Sequence, residues 1–300
     1  MTTRRTLLAA ALGAGATVLF PSASNAANLR PMDLDVTWHH GWPSAKHDPA
    51  PEIQVHQADA RTYILRQNRS VNFEAPFMYL LIGRHTALLI DTGATPEAEY
   101  FPLREVVDGL VPHGHRLIVA HSHGHGDHVA ADEQFTGRGR TTIVGKGQPE
   151  VAEYYGFTDW PHTPRELDLG GRVVDVIPSP GHHASAVTFY DRRTGALLTG
   201  DTVYPGRLYV QDWDAFAATI DRLVAWSDAH EVSHVLGCHI EMSIEDGQDY
   251  PRGWNYTPYE RALPMTVEDL RDVQAAVAEA GGAPGIHKHA AFHLWYKVDG

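Results

Sequence analysis

The chain has 300 residues, with 24 lysines and arginines, 37 acidic residues, 20 histidines and one cysteine, and its formal charge is −13. A chain of this length can bury one sizeable core or two small ones. The negative charge argues against binding to nucleic-acid phosphates, which requires clustered basic residues, and a single cysteine excludes an internal disulfide.

The first 26 residues have the composition of an export signal. Arg4 and Arg5 precede an apolar run that ends at Phe20, and small residues follow up to Ala26. A charged start, a short apolar region and small residues at the cleavage site are typical of secretory signals. The paired arginines resemble a twin-arginine signal. We therefore expect a periplasmic or extracellular protein that is cleaved after Ala26 and has no stable membrane insertion afterwards.

The rest of the chain is predicted to divide into an irregular segment at 27–58, rich in Pro, His and Asp, and one domain at 59–300. Apolar runs predict strands at 62–65, 77–82, 87–90, 117–120, 141–144, 173–177, 186–190, 196–198 and 232–236. Helical spacing and cap residues predict helices at 96–110, 148–155, 212–229 and 266–280. Clusters of strands separated by single helices favour an α/β fold in which two sheets pack face to face with helices outside.

The loop after the strand at 117–120 contains four potential metal ligands within six residues. They are His123, His125, Asp127 and His128. Imidazole and carboxylate groups suit zinc. The two alternate histidines can point at one ion while the adjacent Asp-His pair points at a second, and Gly124 and Gly126 let the backbone fold tightly around both. His121 precedes the pattern and is predicted to be a loop or supporting histidine.

Three further donors each stand where a predicted strand ends. His182 follows the turn Ser179-Pro180-Gly181, Asp201 follows the run 196–200, and His239 follows the run 235–238. Strand ends are where rigid scaffolds present functional side chains. Cys238 is adjacent to one of these donors, and it is interpreted as a small buried residue rather than as a thiol ligand.

Taken together, these residues resemble the metallo-β-lactamase-fold hydrolase superfamily. The matching positions are the Asp91-Thr92-Gly93 turn, the H-x-H-x-D-H loop, Pro180-Gly181-His182, Gly200-Asp201 and His239, over residues 60–240. The resemblance implies an αββα four-layer sandwich of two mixed β-sheets flanked by helices. In one respect the chain departs from the pattern, because Ala130-Ala131 replaces the Gly-Gly pair often found after the loop.

The resemblance also implies a ligand set for two zinc ions, with iron or manganese as other possible metals. His123, His125 and His182 would hold the first ion. Asp127, His128 and His239 would hold the second, Asp201 would bridge both, and Asp91 would orient the loop. A metal-bound hydroxide would attack the carbonyl of a small-molecule substrate, and Asp127 would carry a proton to the leaving group.

The substrate class stays open between a lactone, an ester and a thioester. Lactonases that resemble this chain carry a tyrosine at the offset of Tyr204, where it hydrogen-bonds near the carbonyl; the alternative for Tyr204 is packing at a strand end. The segment Gly200–Arg207 also resembles hydroxyacylglutathione thioesterases. Trp254, Tyr256 and Tyr259 form either a substrate-binding lip or a packed surface excursion. The sequence leaves the oligomeric state undecided.

Two other functions of the same fold are alternatives. A mononuclear-iron sulfur dioxygenase keeps much of the same ligand set, so metal analysis is needed to separate it from a zinc hydrolase. True β-lactamases of this fold place Cys or Ser at the position of Asp201, which argues against that activity. A non-catalytic metal-binding protein is disfavoured because the ligand set is complete.

Overall fold

A computed structural model describes residues 29–297 of the chain. The predicted export signal at 1–26 lies outside the described residues. Among the helices of residues 29–297, none combines the length and the apolar character needed to cross a bilayer.

The first half of the described chain forms a mixed sheet of six strands in sequence order. Its elements are β1 (Ile53–Asp59), β2 (Thr62–Gln67), β3 (Phe77–Ile82), β4 (Thr86–Ile90), α1 (Leu103–Leu110), β5 (Arg116–Ala120), α2 (Gly126–Val129) and β6 (Thr141–Ile143). Strands β1 to β4 pair antiparallel, and β4, β5 and β6 pair parallel. A 3₁₀ helix at Ala130–Phe135 follows α2 directly.

The second half adds another six-stranded mixed sheet and a smaller sheet of three strands. The elements are α3 (Gln148–Tyr155), β7 (Arg165–Asp168), β8 (Val173–Pro178), β9 (Val187–Asp191), β10 (Ala196–Gly200), β11 (Arg207–Val210), α4 (Trp213–Ala229), β12 (His234–Gly237), β13 (Pro264–Met265), α5 (Val267–Ala280), β14 (Gly285–Lys288) and β15 (His293–Tyr296). The large sheet has the order β13-β12-β10-β9-β8-β7, and the small sheet has the order β11-β15-β14.

Strand β3 shows how the layers are held together. All six of its residues are buried, as expected for a strand covered on both faces. Phe77, Tyr79 and Leu81 belong to the core between the two large sheets, whereas Met78 and Leu80 belong to the core that includes α1. A third core joins the second large sheet to α4 and α5. These layers confirm the predicted αββα sandwich.

The helix boundaries follow local cap chemistry. The side chain of Asp212 accepts a hydrogen bond from the backbone of Ala215 at the start of α4, and Thr266 does the same for Asp269 at the start of α5. The predicted helix at 96–110 was too long, because α1 begins only after Pro102. Proline disfavours the helical conformation in the residue before it, so the turns of α1 cannot extend backwards.

The N-terminal prediction was also wrong in one place. The segment 27–58 was expected to be irregular, but residues 53–58 belong to β1, an edge strand of the first sheet. The sequence analysis also missed the short strands β7, β11, β13, β14 and β15. The residues that follow β4, β5, β8, β10 and β12 lie at one end of the sandwich, where the predicted donors come together.

Candidate metal centre

The loop that follows β5 brings His123 and His125 to the first of two donor clusters. With His182 they form the three-histidine cluster. His123 Nε2 lies 2.9 Å from His125 Nδ1, and His182 Nε2 lies 3.0 Å from the same atom. A proton on one ring nitrogen can serve only one of these contacts at a time. A cation at their centre would satisfy all three nitrogens together.

Four donors form the second group, which we call the mixed cluster: Asp127, His128, Asp201 and His239. His239 Nε2 lies 3.3 Å from both Asp127 Oδ2 and Asp201 Oδ1, and 3.4 Å from His128 Nε2. His128 Nε2 lies 3.4 Å from Asp127 Oδ2. Two ligands of a tetrahedral zinc site, each about 2.1 Å from the ion, stand about 3.4 Å apart. The mixed cluster therefore has the spacing of a tetrahedral site.

Asp201 lies between the two clusters and faces both. Its Oδ1 is 3.3 Å from His239 Nε2, whereas its Oδ2 is 3.6 Å from His182 Nε2. The side chain is 8% exposed, and Oδ1 has no hydrogen-bond partner among the described residues. A buried carboxylate oxygen without a donor is costly unless a cation compensates it. The residues therefore match a pair of metal ions that share this carboxylate.

Backbone carbonyls orient two of the donor rings. His182 Nδ1 donates to the carbonyl of Tyr209 at 2.8 Å, and His239 Nδ1 donates to the carbonyl of Glu74 at 3.0 Å. Because a carbonyl can only accept, each Nδ1 carries a proton, so in the neutral ring it is Nε2 that presents a lone pair to the site. Such supporting contacts orient metal-binding histidines and raise their basicity.

Asp91 supports the loop from the end of β4. Its Oδ1 accepts from the Ser122 backbone at 2.6 Å, and its Oδ2 lies 2.9 Å from His128 Nδ1. The Cys238 thiol donates to the same Oδ2 at 3.2 Å. Burial raises the pKa of that thiol, so Cys238 stays a protonated, buried side chain. The backbone of Asp91 is left-handed, with φ of 68°, a conformation that Asp tolerates better than most residues.

The electrostatics of the two clusters differ. Burial and the neighbouring rings lower the pKa of His123 and of His125, so these imidazoles are neutral near pH 7. In the mixed cluster, burial alone would lower the pKa of His239, but Asp201 and Asp127 raise it to about 9. Burial alone would likewise raise the pKa of Asp201, but His239 and His128 lower it to about 2.

Both clusters open into one cleft of about 710 Å³, a typical size for a small-molecule site. Residues of the small sheet, Tyr209, Val210 and Trp295, line one wall. Charged residues that the sequence analysis missed line other parts: Glu74, Glu241, Arg252 and Lys297. Each is a single charged residue in a loop or at a strand end, so no sequence pattern marked it.

Tyr204 lines the cleft but is only 1% exposed. Its hydroxyl donates to the backbone carbonyl of Arg207 and lies 3.3 Å from Glu241 Oε2. The single hydroxyl proton is therefore committed to the protein rather than offered to a substrate carbonyl. The proposed catalytic role of Tyr204 stays a prediction, and the observed contacts are those of a packed side chain.

Two other predicted features lie away from the cleft. Of the two alternatives for Trp254, Tyr256 and Tyr259, the structure favours a surface excursion over a substrate-binding lip, because none of them lines the cleft, although Trp254 and Tyr259 are exposed. Arg252 is the residue of that segment which reaches the cleft. His121 belongs to neither cluster, because its Nε2 contacts Asp132 Oδ1 at 3.0 Å.

Related sequences and solved structures of similar fold are consistent with this architecture. Hydroxyacylglutathione hydrolase of Rhizobium meliloti (strain 1021) is 30% identical over 164 residues, 51% of this chain and 63% of that protein. The protein of the same name from Synechococcus sp. (strain JA-3-3Ab) is 28% identical over 131 residues, 42% of this chain and 52% of that protein. The chain thus spans less than two thirds of the length of either relative.

A solved structure of TMB-1 has a TM-score of 0.53 at 15% identity, over 77% of this chain and 100% of that one, a likeness of fold alone. The model of the metallo-beta-lactamase superfamily matches residues 71–235, more than half of the chain. That stretch includes six of the seven predicted donors, all except His239. The chain therefore belongs to the metallo-beta-lactamase superfamily.

Proposed function

We propose that this protein is a metal-dependent hydrolase that binds two zinc ions and cleaves a carbonyl ester-type bond, with a thioester as the first candidate. The observation that carries the proposal is the position of Asp201, whose two oxygens face the two donor clusters. Bound zinc ions supply Lewis-acid polarisation of a carbonyl and a water that is deprotonated near neutral pH.

Within that chemistry, the chain's own residues have separate tasks. The three-histidine cluster and the mixed cluster would each hold one ion, and Asp201 would contact both. Asp127 is the most accessible donor of the mixed cluster, since its side chain is 24% exposed whereas that of Asp201 is 8% exposed. Burial would raise the pKa of Asp127, but His128 and His239 lower it strongly. The lowered pKa keeps Asp127 ionised, as a metal ligand must be, and its position at the cleft is what would let it carry a proton to a leaving group.

The thioester preference draws on the relatives. Both curated relatives described above carry the name hydroxyacylglutathione hydrolase. The cleft also presents two exposed cations, Arg252 and Lys297, which suit a substrate with an anionic group. A lactone or an oxygen ester would use the same attack on a carbonyl, so the choice among the three must come from assays.

The proposal is tested by metal quantification and a substrate panel on one purified sample. We expect two zinc ions per chain, one for each cluster, and hydrolysis of thioesters in preference to lactones, esters and β-lactams. One iron per chain with activity that requires molecular oxygen would show a dioxygenase instead. Activity on β-lactams alone would contradict the thioester preference. It would also contradict the expectation that Asp201, which stands where β-lactamases of this fold have Cys or Ser, disfavours that activity.

A further inference from the structure

A second pocket with an unusual charge lies at the end of the sandwich remote from the metal centre. It has a volume of about 430 Å³ and is lined by six arginines, which we call the arginine pocket: Arg30, Arg61, Arg84, Arg172, Arg192 and Arg193. The whole chain has 24 lysines and arginines and a formal charge of −13. A quarter of its cations therefore line one pocket of an acidic protein.

The position follows from the topology. Arg61 is in the β1–β2 turn, Arg84 in the β3–β4 turn, Arg172 in the β7–β8 turn, and Arg192 and Arg193 in the β9–β10 turn. Two of the predicted donors come after the opposite ends of strands that leave these turns, since His182 follows β8 and Asp201 follows β10. Because five-residue β4 spans roughly 17 Å, the arginine pocket and the metal centre are separated by about that distance.

Three of the six arginines are neutralised by carboxylates. Arg172 is paired with Asp191 at 2.7 Å, and Arg193 lies 3.4 Å from Asp59. Arg192 is paired with Asp175 at 2.7 Å and also contacts Glu166. Among residues 29–297, the carboxylates that form ion pairs with the lining arginines are those of Asp59, Glu166, Asp175 and Asp191, and all four are used in these pairs.

The other three arginines have no such compensation. The guanidinium groups of Arg30, Arg61 and Arg84 form no salt bridge and no side-chain hydrogen bond with any residue of the range 29–297. All three residues are exposed. Like charges that are brought together in this way repel one another, and a bound anion relieves the repulsion.

Buried Arg172 gives the pocket a fixed frame. Its guanidinium donates to the Arg61 carbonyl at 2.6 Å, to Thr62 Oγ1 at 2.8 Å and to both oxygens of Asp191. It thereby joins three of the turns that carry lining arginines. The N-terminal segment is attached to the β9–β10 turn, because the Arg30 backbone donates a hydrogen bond to the Arg193 carbonyl at 2.8 Å. Side chains on such a connected frame are preorganised for a ligand.

We propose that the arginine pocket binds a small oxyanion with at least two negative charges, carried by phosphate or carboxylate groups. Arginine presents two parallel N–H groups that match the oxygens of either group. Three uncompensated guanidinium groups in a 430 Å³ pocket suit a ligand with several charged groups rather than a single halide ion. The site is distinct from the metal centre, so it stands independently of the hydrolase assignment.

The test is calorimetric titration of the full protein with inorganic pyrophosphate and, separately, with citrate, against sodium chloride at matched ionic strength. We expect one saturable site per chain for at least one of the two anions. Tighter binding of pyrophosphate identifies a phosphorylated ligand, and tighter binding of citrate identifies a polycarboxylate. Absence of saturable binding of either anion would overturn the proposal.

Substitution of the lining arginines tests whether the anion binds in the arginine pocket. The triple variant Arg30→Gln, Arg61→Gln, Arg84→Gln should weaken binding at least about tenfold, because charge-assisted contacts are lost. The control Lys46→Gln, Arg271→Gln, Lys288→Gln removes the same charge from exposed positions elsewhere and should bind as the unmodified protein does. Thermal unfolding of both verifies that they fold.

The metal centre needs its own control, since both anions can also bind metal ions. The Asp201→Ala variant disrupts the metal centre but leaves the pocket intact, so its anion affinity should be unchanged. Binding that is lost in Asp201→Ala, or retained in full by the triple arginine variant, would place the anion outside the pocket and refute the inference.

Discussion

The three-histidine cluster and the mixed cluster are neighbours, yet they differ in charge. The first contains neutral rings whose pKa values are lowered by burial and by one another. The second contains two carboxylates and two histidines with raised pKa values. The first cluster can accept a cation without releasing a proton, whereas the second must lose protons before its imidazoles can bind metal. The two ions should therefore differ in their dependence on pH.

Replacing Asp201, which both clusters share, should have the largest effect. Asp201→Ala removes a donor from each cluster, and we expect the purified protein to contain less metal and to lose hydrolysis by about a thousandfold or more. Metal content by mass spectrometry and kcat/KM on a thioester provide the measurement. Asp228→Ala, which removes an exposed carboxylate from α4, is the control and should retain both. Full activity in Asp201→Ala would refute a shared carboxylate.

Replacing a donor that belongs to only one cluster tests the two clusters separately. His182→Ala should remove one ion from the three-histidine cluster, and His239→Ala should remove one ion from the mixed cluster. Each should lower kcat/KM by about a hundredfold or more, because one of the two ions is lost. The remaining ion distinguishes the variants: its affinity should depend steeply on pH in His182→Ala and weakly in His239→Ala. Equal pH profiles would contradict the charge difference between the clusters.

Proton release tests the same difference in the unmodified protein. The pKa of His239 is raised to about 9, so the metal-free ring is protonated at pH 7 and must release its proton on binding metal. Affinity for the second ion should therefore rise by at least about tenfold per pH unit between pH 6 and 8, because the His239 proton is displaced. Competition with a coloured chelator measures the slope. A slope near zero for both ions would show that His239 is already neutral.

Two glycines of the donor loop give the smallest effect. A Cβ added at Gly124 would lie 2.8 Å from the Lys146 carbonyl oxygen, whereas one added at Gly126 would meet no atom within 4 Å. Gly124→Ala must shift the backbone between His123 and His125, so we expect about a tenfold loss of kcat/KM, since catalysis is sensitive to misplacement of about 1 Å. Gly126→Ala should leave it nearly unchanged. Equal losses would show that the loop tolerates no side chain at either position.

The donors could be identified from the sequence because their spacing and their positions at strand ends are local properties. The H-x-H-x-D-H loop follows the apolar strand β5, and Asp201 ends the apolar strand β10. The two large sheets were predictable for the same reason, since strands buried on both faces are continuous apolar runs. The grouping of the donors into the two clusters agrees with the geometry, and metal binding by each of them stays a prediction.

The missed elements have weaker local signals. Strand β7 has the sequence Arg-Glu-Leu-Asp and lies at a sheet edge. A strand in that position can form with a single apolar residue, so it lacks the apolar run by which strands are predicted. Strands β11 and β15 are four residues long and pair in parallel although 82 residues separate Val210 from His293. No local pattern specifies such a pairing. The same limit applies to Glu241 and Arg252, whose place in the cleft depends on the path of the whole chain.

The predicted metal donors and the cleft wall formed by the small sheet come from different parts of the sequence. All seven predicted donors precede residue 240, whereas Trp295 and Lys297, which line the cleft, come from β15 and the residue after it. Substitutions within 240–297 can therefore reshape the cleft wall while the donors stay in place. Relatives that share the donor loop but differ in this stretch could diverge in substrate preference without any change in the metal chemistry.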